Sequence, residues 1–329
     1  MNIGIIGSGV IAKKLIEATF KIESINLYAF YSRNEETADE FKKSYNFQKT
    51  FTNLEKMAKD KNLDAVYIAS PNSIHFEQAI LFMKNKKHVL CEKAFASNSK
   101  EVEKMIEVSK VNKVILMEAI KTIYLPGFQT LKDNIHKIGK IRKYFSSHCK
   151  YSSRYEDYKN NIIQNAFKKE LSNGALMDIG VYSIYPLIYL FGKPKSTISE
   201  SIKLSTGVDG QGSSILKYDD MESVVIFSKI SNSNLPSEII GEKGSILINK
   251  INEFSEIEII YNNGEKEKFL SEKVDNDLYF ELLEFYGLIQ NKDFNECEKN
   301  LTLSLNVMNV LDSIRKDIDI EFKADKIIN

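Results

Sequence analysis

The chain has 329 residues, of which 43% are hydrophobic and 27% charged, as expected for a globular protein with two domain-sized cores. Its 45 lysine and arginine residues equal its 45 aspartate and glutamate residues, so net charge favours neither nucleic acid nor an anionic membrane as a partner. Three separated cysteines and four separated histidines predict no disulfide framework, no metal site and a reducing, cytoplasmic location.

Up to about residue 120, short apolar runs alternate with amphipathic stretches. The predicted strands are 3–6, 25–31, 65–69, 88–91 and 114–117. The predicted helices are 10–20, 35–45, 74–85 and 99–112. Nearly continuous apolar strands that alternate with helices predict a parallel sheet covered on both faces, which is a doubly wound Rossmann domain of residues 1–122.

After about residue 140, runs rich in β-branched residues follow one another across short turns. The predicted strands here are 195–204, 213–217, 223–230, 238–240, 245–248 and 256–261, and two helices at 278–290 and 301–316 close the chain. The overall prediction is an α/β protein with a C-terminal α+β domain of residues 123–329 that contains a largely antiparallel open sheet. No apolar run reaches the roughly 20 residues that span a bilayer, so no membrane association is expected.

The first predicted strand leads into Gly7-Ser8-Gly9-Val10-Ile11-Ala12, a GxGxxA pattern. The first glycine permits a tight turn, the second lets the backbone approach a pyrophosphate, and the alanine allows close packing of helix and strand. The N–H groups of the helix N-terminus would then hold the phosphates. Glycine-rich turns also form for local reasons, but the position between a buried strand and a helix predicts a dinucleotide site here.

The second strand ends at Tyr31-Ser32-Arg33-Asn34, without the acidic residue that usually holds the ribose of NAD. The Ser32 hydroxyl and the Arg33 guanidinium suit a 2′-phosphate through charge-assisted hydrogen bonds, so the sequence favours NADP over NAD. An alternative is that Ser32 and Glu35 form a capping box in which Ser32 starts the next helix, and both roles are compatible.

Two further segments leave the carboxyl ends of predicted parallel strands, where ligands bind in such sheets. One contains Ser70, Asn72 and His75, and the other contains Glu92 and Lys93, although a lysine there is often only a surface residue.

In the second domain, Asp178 and Tyr182 lie four residues apart in the apolar run 174–184 and share a helix face. An acid and a phenol on an apolar helix need a partner or a cavity, and the structural alternatives are a helix cap and a core aromatic.

Seven motifs, taken in order, resemble the glucose–fructose oxidoreductase/inositol dehydrogenase/MocA family of sugar and polyol oxidoreductases. They are GSGVIA, SPNSIH, HVLCEKA, MEAIKTIYLP, GALMDIGVYS, IIGEKGSILI and SLNVMNVLDSIRK. Because Tyr182 stands where inositol dehydrogenases of the family carry a histidine, the chain is most similar to the branch with dimeric dihydrodiol dehydrogenase and D-xylose dehydrogenase.

The resemblance implies hydride transfer between the nicotinamide C4 atom of NADP or NAD and a sugar, polyol or related diol or carbonyl substrate. Tyr182 would transfer the proton, Lys93 would assist because an ammonium lowers the pKa of a nearby phenol, and Asp178 would orient the substrate hydroxyl or the lysine. The two side chains of Lys93 and Tyr182 are then expected to converge on one cavity. Asn72, His75 and Glu92 would form walls of the nicotinamide pocket, with Ser70 also binding the cofactor.

The sequence also departs from the family pattern. Ala94 replaces a proline, while Lys121, Ile123 and Asn165 occupy positions expected to surround the substrate, with Lys121 and Asn165 assigned to substrate binding. These departures predict an altered substrate specificity. The alternative is an NAD(P)-binding redox-sensing or regulatory protein without turnover. Relatives further imply a homodimer or homotetramer formed through the open sheet face.

Overall fold

The computed structural model describes residues 1–271 and 274–326. They form two compact units, which we call unit 1 and unit 2. Unit 1 comprises Met1–Lys121 and Asp275–Leu305, and unit 2 comprises Thr122–Val274 and the chain from Asn306 onward. The segment Asp275–Leu305, which the sequence analysis assigned to the second domain, therefore belongs to unit 1.

Unit 1 is built on a six-stranded parallel sheet. Its strands are β1 (Asn2–Ile6), β2 (Asn26–Tyr31), β3 (Lys49–Phe51), β4 (Ala65–Ile68), β5 (His88–Glu92) and β6 (Leu116–Ala119). Their order, β3-β2-β1-β4-β5-β6, is that of a doubly wound dinucleotide-binding sheet whose connections reverse direction between β1 and β4. All four residues of β4 have no exposed surface, because the sheet is covered on both faces.

Helices connect these strands. They are α1 (Val10–Thr19), α2 (Glu35–Tyr45), α3 (Leu54–Ala58), α4 (His75–Lys84) and α5 (Ser99–Asn112). The predicted parallel domain is confirmed, but β3 and α3 were not predicted from the sequence. Both are too short, at three and five residues, to show a hydrophobic period.

Unit 2 contains an eight-stranded sheet and, among the described residues before Val274, three α-helices. The helices are α6 (Pro126–Asn134), α7 (Ser153–Lys159) and α8 (Val181–Phe191). The strands are β7 (Ile141–Cys149), β8 (Ser196–Lys203), β9 (Asp209–Lys217), β10 (Glu222–Ser228), β11 (Ser237–Gly241), β12 (Gly244–Ile248), β13 (Glu256–Tyr261) and β14 (Lys266–Leu270). The strand order is β14-β13-β12-β11-β7-β10-β9-β8.

Only the β7–β10 pair of this sheet is parallel among the described residues, so the predicted largely antiparallel sheet is confirmed. Strands β7 and β14 were not predicted, because their polar and charged residues hide the strand pattern. By length and composition the helical stretch Lys169–Phe191 could cross a membrane, but 67% of its apolar window is buried inside the protein.

Two further α-helices follow in the described chain. The first, α9 (Leu278–Asn291), packs against α1 and β6 within unit 1. The second, α10 (Phe294–Asp317), begins in unit 1 and ends in unit 2.

Candidate active site

The turn between β1 and α1 has the geometry of a phosphate-binding loop. Gly7 has a φ of +116°, and a Cβ atom there would lie 2.5 Å from the Ala69 carbonyl oxygen, so a side chain is excluded both by conformation and by space. Gly9 is the N-cap of α1, and a Cβ atom built on it would meet no described heavy atom within 4 Å. Ala12 is fully buried.

The first amides of α1 receive no side-chain cap from Gly9. Uncapped N–H groups at a helix N-terminus, next to a position that lacks a side chain and has space in front of it, fit the pyrophosphate of a dinucleotide. Ser8 and Val10 are exposed beside this space and Ile11 is half-buried, so all three predicted contact residues lie at the loop surface.

The end of β2 places Ser32 and Arg33 outside the following helix. Asn34 is the N-cap of α2, since its side chain accepts a hydrogen bond from the Thr37 amide at 3.1 Å. Ser32 instead accepts from the Asn34 amide at 3.2 Å, and its own amide donates to Phe51 in the neighbouring strand. The alternative in which Ser32 starts the helix is therefore wrong. Arg33 is exposed and forms no ion pair within the described ranges.

His75 connects the two segments that follow β4 and β5. Its Nε2 atom lies 2.7 Å from the Ser70 carbonyl oxygen, and its Nδ1 atom lies 3.1 Å from that of Ala94. The ring has no exposed surface, and burial lowers the pKa of His75 to about 4. His75 therefore supports both segments from within the core.

Other predicted residues of these segments lie close by. Asn72 is buried in a 3-10 turn, and the Ser70 hydroxyl donates to the Gln78 side chain at 2.8 Å. Glu92 is buried and accepts a hydrogen bond from the Tyr67 hydroxyl. Lys93, which follows β5 directly, is half-buried, and its charge contributes to the lowered pKa of His75. The strand-end segments thus place Lys93 at the carboxyl edge of the sheet.

Lys121 was expected to bind substrate, but its ammonium forms an ion pair with Asp277, the N-cap of α9, within unit 1. Only 14% of the Lys121 side chain is exposed. Asn165 is exposed in a 3-10 turn of unit 2, and Ile123 is half-buried. In this structure the ion pair therefore links Lys121, which follows β6, to the start of α9.

Asp178 and Tyr182 lie on a helical segment whose first turn, Leu176–Gly180, is π-helical and leads into α8. Such turns are rare in proteins as a whole, but those that occur are often found at functional sites. Asp178 and Tyr182 are half-buried, whereas most of their neighbours are fully buried. The Tyr182 ring meets the His148 ring edge-on, with centroids 5.7 Å apart.

The charged partner of Asp178 is Lys229, which the sequence analysis missed. Lys229 directly follows β10, and its ammonium forms an ion pair with the Asp178 carboxylate. A second carboxylate, Asp209, is fully buried and accepts a hydrogen bond from the Leu176 amide at 2.6 Å. Capping of this segment is thus performed by Asp209, and the interpretation of Asp178 as a helix cap is wrong.

Asp209 and Gly174 explain the local backbone. Gly174 has a φ of +151°, and a Cβ atom on it would lie 2.0 Å from the Asp209 carboxylate. Burial raises the pKa of Asp209 to about 6, while its hydrogen bond from Leu176 and the nearby Lys229 charge oppose that shift. Gly174 in the GALMDIG motif is the sequence signal for this close approach, but it does not identify the residue that approaches.

A buried acid, Glu281, was also missed. It lies on α9 with no exposed surface, and neither carboxylate oxygen has a hydrogen-bond partner in the described chain. Burial and the charge of Glu92 raise the pKa of Glu281 well above its ordinary value. In the sequence, a single glutamate in the first turn of a helix is typical of a solvent-exposed position, so no pattern distinguished it.

Comparison with known proteins gives matches over most of the chain. The NAD-binding Rossmann-fold domain model of the GFO/IDH/MocA oxidoreductase family matches residues 1–120, and the GFO/IDH/MocA C-terminal domain model matches residues 128–247. The scyllo-inositol 2-dehydrogenase (NADP+) of Bacillus subtilis is 45% identical over 326 residues, which cover 99% of each chain. The trans-1,2-dihydrobenzene-1,2-diol dehydrogenase of Xenopus tropicalis is 29% identical over 274 residues, covering 81% of this chain and 80% of the relative.

Among solved structures, a levoglucosan dehydrogenase in complex with NADH and levoglucosan superposes with a TM-score of 0.84. The match covers 97% of each chain at 19% sequence identity, so it shows a shared fold.

Proposed function

Because the chain belongs to the GFO/IDH/MocA oxidoreductase family and is an NAD(P)-dependent dehydrogenase or reductase acting on CH–OH groups, we propose that it oxidises a cyclic polyol of the inositol type with NADP+. The observation that carries this proposal is the 45% identity to a scyllo-inositol 2-dehydrogenase across 99% of both chains. The relatives named as dihydrodiol dehydrogenases share less sequence, at 26–30% identity, and so does the D-xylose dehydrogenase, at 28%. A cyclic polyol is therefore the substrate class that we favour.

The proposed choice of NADP rests on the end of β2. Ser32 and Arg33 are not used as caps of α2, and Arg33 has no ion-pair partner within the described residues. A hydroxyl and a guanidinium suit a 2′-phosphate, and the segment lacks the acid that would accept the ribose hydroxyls of NAD. The relative from B. subtilis is named for its use of NADP+.

The uncapped N-terminus of α1 and the glycines before it would hold the pyrophosphate, with Ser8, Val10 and Ile11 beside it. Ser70, Asn72, Glu92 and Lys93 are proposed to line the nicotinamide end, supported from behind by His75. When bound, the nicotinamide supplies the C4 position that accepts a hydride from the substrate carbon.

Residues of this chain would accept the proton that the substrate hydroxyl releases. As the carbon–hydrogen bond breaks and its electron pair leaves, the hydroxyl of the same carbon loses its proton to Tyr182 and a carbonyl group forms. Lys93 would stabilise the phenolate form of Tyr182, since an ammonium favours a nearby negative charge. Asp178 would accept a hydrogen bond from a substrate hydroxyl and so orient the ring. Asn165 and Lys121 remain proposed substrate contacts, the latter after release from Asp277.

We further propose a homodimer or homotetramer in the cytoplasm. Ile198, Ile202 and Ile215 are 71%, 52% and 48% exposed on β8 and β9, and Ile198 pairs directly with Ile215 across the two strands. An apolar strip of this kind on the outer part of a sheet suits a second copy of the chain. Neither nucleic acid nor a membrane is proposed as a partner, given the equal numbers of acidic and basic side chains.

The test is a comparison of kcat/KM values for purified protein. NADP+ or NAD+ is supplied with scyllo-inositol, myo-inositol, D-xylose or a trans-dihydrodiol, and formation of the reduced nicotinamide is followed by absorbance. We expect the highest kcat/KM for an inositol with NADP+. A higher value for xylose or for the dihydrodiol would overturn the proposed substrate class, and a higher value with NAD+ would overturn the proposed cofactor.

A further inference from the structure

The ammonium of Lys229 is enclosed in unit 2. Only 5% of its side chain is exposed, and its Nζ atom lies 5.5 Å from the centre of the Phe167 ring. The backbone is fixed on both sides, because the Lys229 amide donates to Gly210 and its carbonyl oxygen accepts from Ser152, each at 2.9 Å. Lys229 therefore cannot reach solvent without moving β10 or its neighbours.

A buried ammonium is costly unless carboxylates surround it. Two carboxylates meet this requirement. Asp178 accepts a hydrogen bond from the Lys229 ammonium, and the charge of Lys229 acts on Asp209. Asp209 is completely buried and is fixed to the Leu176 amide, whereas 28% of the Asp178 side chain is exposed. Of the two carboxylates beside Lys229, only Asp178 can also contact a ligand.

We propose that Lys229 is a positioning residue, which holds the Asp178 carboxylate ionised and oriented for the hydroxyl of the substrate. The inference rests on the proposed role of Asp178 in substrate binding. It assigns to the strand end after β10 a function in the reaction, and it accounts for a buried ion pair where a pair of apolar residues of similar volume would pack at lower cost.

Other titratable groups on the elements around the π-helical turn include Tyr144, His148 and Cys149 on β7, Tyr182 and Tyr185 on α8, and Asp209 on β9. His148 faces Tyr182, and Asp209 faces the backbone at Leu176. A change in the pH profile of the enzyme must therefore be assigned to Asp178 directly, which an Asp178→Asn variant allows.

The experiment compares Lys229→Met with Lys229→Arg in the full-length enzyme. Loss of the cation should raise the pKa of Asp178, since an adjacent cation lowers a carboxyl pKa by roughly 1–3 units. We expect Lys229→Met to lose roughly 10- to 100-fold in kcat/KM, the scale seen for groups that orient metal ligands. In Lys229→Met the acidic limb of the plot of kcat/KM against pH should move to higher pH. In Lys229→Arg this acidic limb should stay at the wild-type pH. Binding of NADPH, which is proposed for unit 1, should not change.

A matched control is Lys137→Met, because Lys137 pairs with Glu267 in the same unit and is not assigned to the site. It should leave both kcat/KM and the pH profile unchanged. A Lys229→Met enzyme with the wild-type acidic limb and wild-type kcat/KM would overturn the inference. A drop in activity without movement of the limb would also overturn it, because that result indicates a purely structural ion pair.

A second readout separates this inference from the proposed function. The carboxyl carbon signals of enzyme labelled with ¹³C-aspartate are followed by NMR as a function of pH, and the Asp178 signal is assigned by its absence in Asp178→Asn. If the Asp178 pKa rises in Lys229→Met but Asp178→Asn is fully active, the positioning contact is supported and the proposed role of Asp178 fails. If Asp178→Asn is inactive but Lys229→Met leaves the Asp178 pKa unchanged, the positioning role fails and the proposed function survives.

Lys229→Met could unfold unit 2 because it leaves Asp209 buried without a cation. The double variant Lys229→Met/Asp209→Asn removes that charge and keeps an oxygen to accept from Leu176. The same rise in the Asp178 pKa is expected in it, and an unchanged pKa would again overturn the inference.

Discussion

The Nδ1 atom of His75 lies 3.1 Å from the carbonyl oxygen of Ala94, the residue that follows Lys93. Through its other ring nitrogen, His75 also reaches the carbonyl oxygen of Ser70. One buried side chain therefore joins the segments after β4 and β5, which together form the carboxyl edge of the sheet at the proposed nicotinamide site. Because burial lowers the pKa of His75 to about 4, the ring is neutral at neutral pH and can donate only one of these two hydrogen bonds.

The first prediction is that His75 makes unit 1 sensitive to acid. A histidine with a pKa of about 4 in the folded state and about 6.5 when unfolded favours folding above pH 6.5 and loses that contribution as the pH falls toward 4. The loss amounts to about 3 kcal/mol at most. His75→Gln keeps one donor but does not titrate. Its melting temperature should therefore fall less between pH 7 and pH 4.5 than that of the wild type, and an equal or larger fall would contradict this.

The second prediction separates the two glycines of the phosphate-binding loop. Gly9→Ala should keep the wild-type melting temperature, because the backbone is extended and the added Cβ meets no described atom within 4 Å. It should nevertheless weaken NADP(H), whose pyrophosphate is proposed to occupy that space. Gly7→Ala should instead lower the melting temperature, since its Cβ would collide with Ala69 at a φ that disfavours alanine.

Calorimetric titration and thermal unfolding of both variants test this pair of outcomes. If Gly9→Ala bound NADPH as tightly as the wild type, the pyrophosphate could not lie against Gly9.

The third prediction concerns cofactor choice. Arg33→Ala should weaken NADP(H) more than NAD(H), by about 1.5–3 kcal/mol if the contact with the 2′-phosphate is charge-assisted. Arg154→Ala is the matched control, because Arg154 is also an exposed arginine and lies on α7 of the other unit. Dissociation constants for both cofactors decide the outcome. Equal losses for NADPH and NADH would mean that Arg33 contacts a part of the molecule that the two cofactors share.

The sequence predicted the parallel sheet well because its strands are buried on both faces and read as unbroken apolar runs, such as β4. It failed for β7, where only Tyr144 and Ser146 are fully buried and most of the other residues of the strand are charged or polar. A local sequence pattern reveals a strand when the side chains that face the core are apolar. A strand whose core-facing side chains are polar and hydrogen-bonded, as Ser146 is, does not show this pattern.

The candidate site could be predicted only in part for a related reason. GxGxxA specifies its own geometry, because the turn and the helix start are local. The pairing of Lys121 with Asp277 joins residues 156 positions apart, and Lys229 lies 51 positions from Asp178. Single charged residues are usually exposed, so a sequence without aligned relatives offers no basis for choosing those that are buried together.

The last prediction tests the proposed proton transfer. Tyr182→Phe removes only a hydroxyl, so the edge-on contact with His148 and the binding of NADPH should be retained. If Tyr182 transfers the proton, kcat should fall by roughly 10²–10⁴-fold. Lys93→Ala should cause a comparable loss, and the double variant should lose much less than the product of the two, because both residues serve one step. Tyr189 lies on the same helix, but its hydroxyl accepts a hydrogen bond from Lys132. Tyr189→Phe is therefore the control and should keep full activity. Fully multiplicative losses in the double variant would show that Lys93 and Tyr182 act independently, and a Tyr182→Phe enzyme with wild-type kcat would assign the proton to another group.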